Sequence, residues 1–210
     1  MFRSLLAGFA GLLLMATAHA DSERFVEGTH YRVMDTPANV ADPERIEVRE
    51  FFFYGCPHCY SVQPLISNWK ENQADDVNFV PTPVLFIRGA EPLARAFYVA
   101  RSKGILDEVH MPIFQAIHEH REALFDNRAL ARFFRAYGIE ADEFNDLYSS
   151  FGVSTRVRQA DALTREYRIT GTPAFTVAGK YVVLRQNLAN DRETFQVIDY
   201  LVNRERKARN

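Results

Sequence analysis

The stretch Phe51-Phe52-Phe53-Tyr54-Gly55-Cys56-Pro57-His58-Cys59 holds both cysteines of the chain. It begins as the end of a strand. Ile46 to Tyr54 is rich in β-branched and aromatic residues and is bounded by Asp42-Pro43 and Gly55, which is the signature of a strand between turns. Alternation puts Ile46, Val48, Glu50, Phe52 and Tyr54 on one face and Glu47, Arg49, Phe51 and Phe53 on the other. The second half is apolar on both faces, as suits a strand central to a covered sheet. Pro57 then sits where proline is favoured, at the first position of a helix. The pattern predicts that helix from Pro57 to about Glu71, with a kink expected at Pro64.

Cys56 therefore stands at a helix N-terminus. Unpaired backbone N–H groups and the helix dipole favour negative charge there, so its thiol is expected to ionise easily. His58 adds positive potential when protonated or suitably oriented. Cys59 lies one helical turn on, within reach of a small-loop disulfide. Stabilising the thiolate stabilises the reduced form and makes the disulfide more oxidising. The local physics favours an exchange-active pair. Two alternatives stay open at this point. A structural disulfide across two residues would constrain little of the unfolded chain. A zinc site would need ligands from His110, His118 or His120, far along the sequence. Haem attachment is excluded, because position 60 is Tyr where a histidine is needed.

Outward from this motif, composition is that of an ordinary globular protein. The chain has 210 residues, 47% hydrophobic and 25% charged, with formal net charge −2 and a sequence pI of about 6.3. No footprint for nucleic acid is present at whole-chain level. Two cysteines exclude a disulfide scaffold and a four-thiolate zinc centre. At the start, Arg3 precedes an uncharged apolar run from Leu5 to Met15, then Ala18-His19-Ala20, then charge at Asp21. This is the layout of a secretory signal peptide over residues 1–20. The run is too short for a membrane span, and no other reaches that length. Cleavage after Ala20 leaves 190 residues outside the cytoplasm, where disulfides persist.

The remaining pattern predicts strands over Tyr31–Met34 and Val77–Phe86, then helices from Pro92 to about Arg168. Two strands, Pro173–Val177 and Lys180–Leu184, flank Ala178-Gly179 as a hairpin, and a last helix covers Arg192 to Arg204. The order is β-β-α-β, a helical block, then β-β-α. The block reads as an insertion at about 90–168, because the strands on either side need each other to complete one sheet.

With Gly171-Thr172-Pro173 standing before the hairpin, this order resembles the thioredoxin-fold thiol–disulfide oxidoreductases. The Pro-His dipeptide between the cysteines, the helical insertion and the signal peptide resemble the DsbA family of periplasmic oxidases in particular. The resemblance covers residues 21–210 and implies an α/β thioredoxin-like fold, a mixed central sheet flanked by helices, with an inserted helical domain. It implies an enzyme that introduces disulfide bonds into exported proteins through Cys56 and Cys59. Cys56 would be the exposed, acidic sulfur of an oxidising disulfide, Cys59 the buried resolving thiol and His58 the residue that tunes the Cys56 thiolate, with Pro57 a further residue of the catalytic motif. Pro173 would be a cis-proline facing the disulfide, with the Thr172 backbone pairing with an incoming peptide. Sequence rules alone make cis improbable. The implied partners are unfolded exported proteins and a DsbB-like membrane reoxidase. The resemblance implies a periplasmic monomer, no metal, nucleotide or flavin beyond the cysteine pair, no nucleic acid and no stable membrane insertion.

Glu50 has two readings. A carboxylate on an apolar face is costly unless paired or protonated. The family has an acid here, and the functional reading is a proton acceptor for Cys59; the other is an ion pair with a nearby Lys or Arg. The lysine that the resemblance would place opposite it is Pro81 in this sequence. Thr172 departs from the valine common in DsbA-type oxidases and looks more like isomerases and reductases. Its hydroxyl is in a position to bond a sulfur and shift the redox poise. Isomerase or reductase activity is therefore an alternative, as is a non-catalytic periplasmic peptide-binding chaperone. His118-Glu119-His120 is read as a solvated helix end, and Arg204–Arg209 as a frayed tail. Phe114 and Phe86 are offered as the lining of an apolar client groove.

Overall fold

The computed structural model describes residues 24–209, so the signal-peptide reading of residues 1–20 lies outside the described residues. In chain order the elements are β1 (Tyr31–Val33), β2 (Ile46–Phe52), α1 (Pro57–Glu71), β3 (Val77–Pro83), α2 (Ala90–Ser102), α3 (Leu106–His118), α4 (Asn127–Arg135), α5 (Ala141–Ser149), α6 (Phe151–Glu166), β4 (Ala174–Val177), β5 (Tyr181–Val183) and α7 (Asp191–Arg209). The strands form one sheet in the order β1-β5-β4-β2-β3. β2 runs parallel to β3 and antiparallel to β4, and β4 pairs antiparallel with β5. The fold is thioredoxin-like.

β2 is central, and all seven of its residues are buried. That goes beyond the expectation from alternation, which had only its second half covered on both faces. Two cores explain it. Ile46 and Val48 pack with Val62, Ile66 and Trp69 of α1 and with Phe195, Ile198 and Leu201 of α7. Phe51 packs with the helical block, among Phe97, Val99 and Phe134. Each such fully buried large side chain contributes about 1.5–3 kcal/mol through area removed from water. β2 is thereby held from both sides, and its C-terminal end points the chain at Cys56.

The hairpin turn uses Ala178 and Gly179, both at positive φ (55° and 72°), as strand twist requires of a tight hairpin. A Cβ at Gly179 would lie 2.4 Å from the Ala38 carbonyl oxygen, so only glycine fits.

One boundary and one tail differ from expectation. β3 stops at Pro83 and not Phe86: it runs through Pro81 and Pro83 without a break and ends where its partner β2 ends, at Phe52. Arg204–Arg209 is not frayed: α7 continues to Arg209. Arg206 makes a two-pronged pair with Asp76 at 2.6 and 2.7 Å, and Arg209 donates to the Glu44 carbonyl at 3.0 Å. The long arginine side chains reach back to the body of the protein, and those bonds hold the final turn.

Candidate active site

Cys56 is the N-cap of α1 in extended conformation (φ −88°, ψ 116°), with Pro57 opening the helix. The Cys59 backbone N–H donates to Cys56 Sγ at 3.3 Å, and the sulfur lies 3.5 Å from the Thr172 carbonyl, to which the thiol donates. Cys56 is half-buried and Cys59 fully buried, both as free thiols. The hydrogen bond from the Cys59 thiol is the largest cause of a lowered Cys56 pKa. A bond from the Thr172 side chain and the backbone N–H groups of Cys59 and His58 add to it, and together they hold the thiol down to about 5 against the opposing effect of burial. The part His58 plays in this shift runs through its amide. Burial, then the hydrogen bond to Cys56, pushes the Cys59 thiol far up. Two thiols one turn apart thus have opposed acidities.

Gly55 lets the chain turn into this geometry. A Cβ there would lie 2.6 Å from the Phe53 ring, and the Cys56 N–H then donates to the Phe53 carbonyl at 3.0 Å.

The Thr172–Pro173 peptide is cis. Arg185, which the sequence reading missed, donates Nη1 to the Pro173 carbonyl at 2.9 Å and pairs with Asp191. Nothing in the local sequence signals this, because the contact depends on where the chain leads after β5.

Glu50 is completely buried. Its register partner on β3 is Pro81, and no Lys or Arg lies within ion-pair distance of it among the described residues, so the pairing reading fails. Among the described residues its one hydrogen-bond donor is the Gln63 side-chain amide, 3.2 and 3.5 Å from the two carboxylate oxygens. The same amide reaches the Cys59 carbonyl at 3.1 Å. Burial raises the Glu50 pKa to about 8, against lowering by the Gln63 bond and by Arg185 at longer range. At neutral pH, beside this free dithiol, the group is mainly the neutral acid.

The helical block clasps the chain just before the cysteines. His110 Nδ1 and the Tyr54 hydroxyl are 2.7 Å apart, and His118 Nε2 donates to the Tyr54 carbonyl at 2.8 Å. Burial pushes Tyr54 well up and His110 down to about 4. The phenol therefore stays protonated and donates to a neutral imidazole. Tyr60 stacks on His118 with rings 5.1 Å apart and donates to Glu119. His118 is thus a packed residue and not a solvated helix end. The eight-residue spacing of the two histidines was the signal, since it places both on one face of α3. Phe114 lies fully buried between them and lines no client groove, while Phe86 is exposed. Among the described residues no group of three or more His, Cys, Asp or Glu is arranged to hold a metal ion, and no helix is long and apolar enough to cross a membrane.

Known proteins resemble this chain over most of its length. Residues 47–196 match the family described as DSBA-like thioredoxin domain. The thiol:disulfide interchange protein DsbA of Burkholderia cepacia is 36% identical over 191 residues, 90% of each chain. That of Azotobacter vinelandii is 35% identical over 206 residues, 98% of this chain and 96% of the relative. The crystal structure of Pseudomonas aeruginosa DsbA superposes with TM-score 0.82 at 34% identity, covering 90% of this chain and 97% of that one.

Proposed function

Because the chain belongs to the DsbA-like thioredoxin-domain family and is a thiol:disulfide oxidoreductase that introduces disulfide bonds, we propose that Cys56 and Cys59 carry its chemistry. The isomerase, reductase and chaperone alternatives are not favoured. A client thiolate attacks Cys56 Sγ of the Cys56–Cys59 disulfide, forming a mixed disulfide and releasing the Cys59 sulfur. Cys59 needs a proton on leaving, because burial makes its thiolate costly. Glu50 supplies it: the group is buried and the Gln63 amide bridges it to the Cys59 backbone. A second client thiolate then attacks the client's own sulfur in the mixed disulfide and releases Cys56 as a thiolate. Two electrons pass from the client dithiol to the cysteine pair. One proton ends on Cys59, and Cys56 remains ionised above a pKa of about 5. Thr172 and Pro173 face the sulfur and receive the client backbone.

Around this core we place residues 1–20 as a cleaved signal peptide, residues 21–210 as one thioredoxin-type domain with the helical insertion at about 90–168, and the working compartment as the periplasm. The cysteine pair is the redox centre without a further cofactor. The protein acts as a monomer on unfolded exported proteins, and a DsbB-like membrane protein reoxidises it.

The observation that carries the reading is the half-buried Cys56 sulfur at the N-cap of α1, accepting the Cys59 N–H at 3.3 Å, with the Cys59 thiol buried one turn on. The test is the redox potential of the pair with the Cys56 pKa from the same sample, followed by thiolate absorbance. The expected potential is well above the about −270 mV of thioredoxin, with Cys56 titrating near 5. A thioredoxin-like potential and an ordinary thiol pKa would sink it. Cys56→Ala is expected to abolish client oxidation.

A further inference from the structure

Beside the cysteines lies a groove of about 500 Å³, reached by His58, Thr172 and Pro173 at one end. Three arginines line it, Arg32, Arg168 and Arg185, and no Asp or Glu does. This is a local reversal in a chain whose formal net charge is −2. The three arginines are not equivalent. Arg185 is committed, to the Pro173 carbonyl and to Asp191. Arg32 donates one nitrogen to the Tyr167 carbonyl at 2.9 Å and has no carboxylate partner among the described residues. Arg168 has a side chain 73% exposed, and its carboxylate, Asp35, is 3.7 Å away and 92% exposed. A solvent-exposed pair of that kind contributes little and exchanges readily for another carboxylate.

We propose that this groove selects client segments carrying Asp or Glu beside the reactive cysteine, read by Arg32 and Arg168. The inference rests on the assignment of Cys56 as the attacked sulfur, since only then does the flank of a client cysteine enter the groove. The occupant is a peptide because the substrates are proteins. Its charge follows from complementarity: the guanidinium fork matches a carboxylate in two-pronged geometry. A wall of one charge sign also raises the encounter rate of oppositely charged partners, in a salt-dependent way. A lysine-flanked client meets the same wall as repulsion.

The test uses the oxidised protein and three two-cysteine peptides identical except for Glu, Gln or Lys on both flanks of the cysteines. The reaction is disulfide transfer, with the peptide dithiol oxidised and the Cys56–Cys59 disulfide reduced. At low salt the Glu peptide is expected to react about fivefold faster than the Gln peptide, as two partly exposed charge pairs allow, and the Lys peptide slower than both. High salt should flatten the series. In Arg32→Gln/Arg168→Gln the Glu-to-Gln ratio should fall towards one, each variant being referred to its own Gln rate. Arg168→Gln alone keeps the test available if the double variant does not fold, because that side chain is exposed. Arg135→Gln, an exposed change of equal charge on α4, should leave the ratio as it was. Equal rates for the Glu and Gln peptides at low salt, or a ratio that survives loss of both arginines, would overturn the groove assignment. Failure to oxidise any of the three peptides would instead remove the assignment of Cys56, and this inference with it.

Discussion

Glu47 and Glu50 stand three residues apart on β2, both buried, on opposite faces of the same strand. Their surroundings differ in one respect. On the face toward the helical block, Glu47 meets Arg49 at 2.7 Å and accepts the Ala41 N–H at 2.9 Å, and Arg49 spends a further nitrogen on Thr82. On the other face Glu50 meets, among the described residues, one amide and no cation within ion-pair distance. The same side chain is thereby tied by an ion pair in one region and by a single amide in the other. What separates the two roles is the partner, since burial is equal. Glu50, held by an amide alone, keeps its proton to about pH 8.

The comparison breaks most sharply at Arg49. Arg49→Met leaves Glu47 buried without its cation, which costs about 3–5 kcal/mol where one partner of a buried pair is removed. Urea denaturation is the measurement. Changing Glu47 to Gln as well should recover most of the loss, because the uncompensated charge is then gone. A cost below about 1 kcal/mol for Arg49→Met would mean that water or another group reaches Glu47.

On the opposite face the sign reverses. In the unfolded chain Glu50 loses its proton near 4.5, and in the folded dithiol form near 8. Between those values the unfolded state binds fewer protons, so folding stability falls as pH rises from 4.5 to 8. Glu50→Gln removes that slope. The reduced variant should gain on the order of 3 kcal/mol at pH 7 and nothing at or below pH 4.5. The same change should slow client oxidation by about tenfold or more, as loss of a positioned proton donor does. A variant that is stabilised and fully active would leave Glu50 as a burial cost with no chemical role.

Much of this arrangement is legible in the sequence. β2, the Pro57–Glu71 helix and the hairpin at Ala178-Gly179 follow from propensity and turn chemistry, which are local. The side of β2 that Glu50 occupies follows from alternation, and its pairing with Pro81 was expected. The ionic surroundings were not legible. Arg49 lies two residues from Glu47 and on its face, but nothing local says that the first half of β2 is covered on both sides. That cover comes from α7 and the helical block, both distant in sequence. Arg185, His118 and the arginines of the last helix were missed or misread for the same reason. Each is a long or polar side chain whose partner is a backbone carbonyl or carboxylate on another element, 12 residues away for Arg185 and much further for His118 and Arg206. Periodicity reports which face is buried. It does not report which donor reaches an acceptor across the fold.

The smallest expected effect tests the amide itself. Gln63 is the one hydrogen-bond donor to Glu50 among the described residues and also serves the Cys59 carbonyl. Gln63→Met keeps the volume and removes both bonds. Loss of a buried donor to these acceptors should cost about 1–3 kcal/mol, at the low end because 3.1–3.5 Å contacts are long. The more telling reading is the pH profile. The Gln63 bond lowers the Glu50 pKa against burial, so its removal should move the carboxyl further above 8. The alkaline limb of client oxidation should then shift upward with it. Gln63→Glu would add a second acid to the same pocket and raise the pair's higher apparent pKa by like-charge coupling. An alkaline limb that stays in place in Gln63→Met would assign it to another group, most directly to a client thiol, and would reduce Gln63 to a packing residue between β2 and α1.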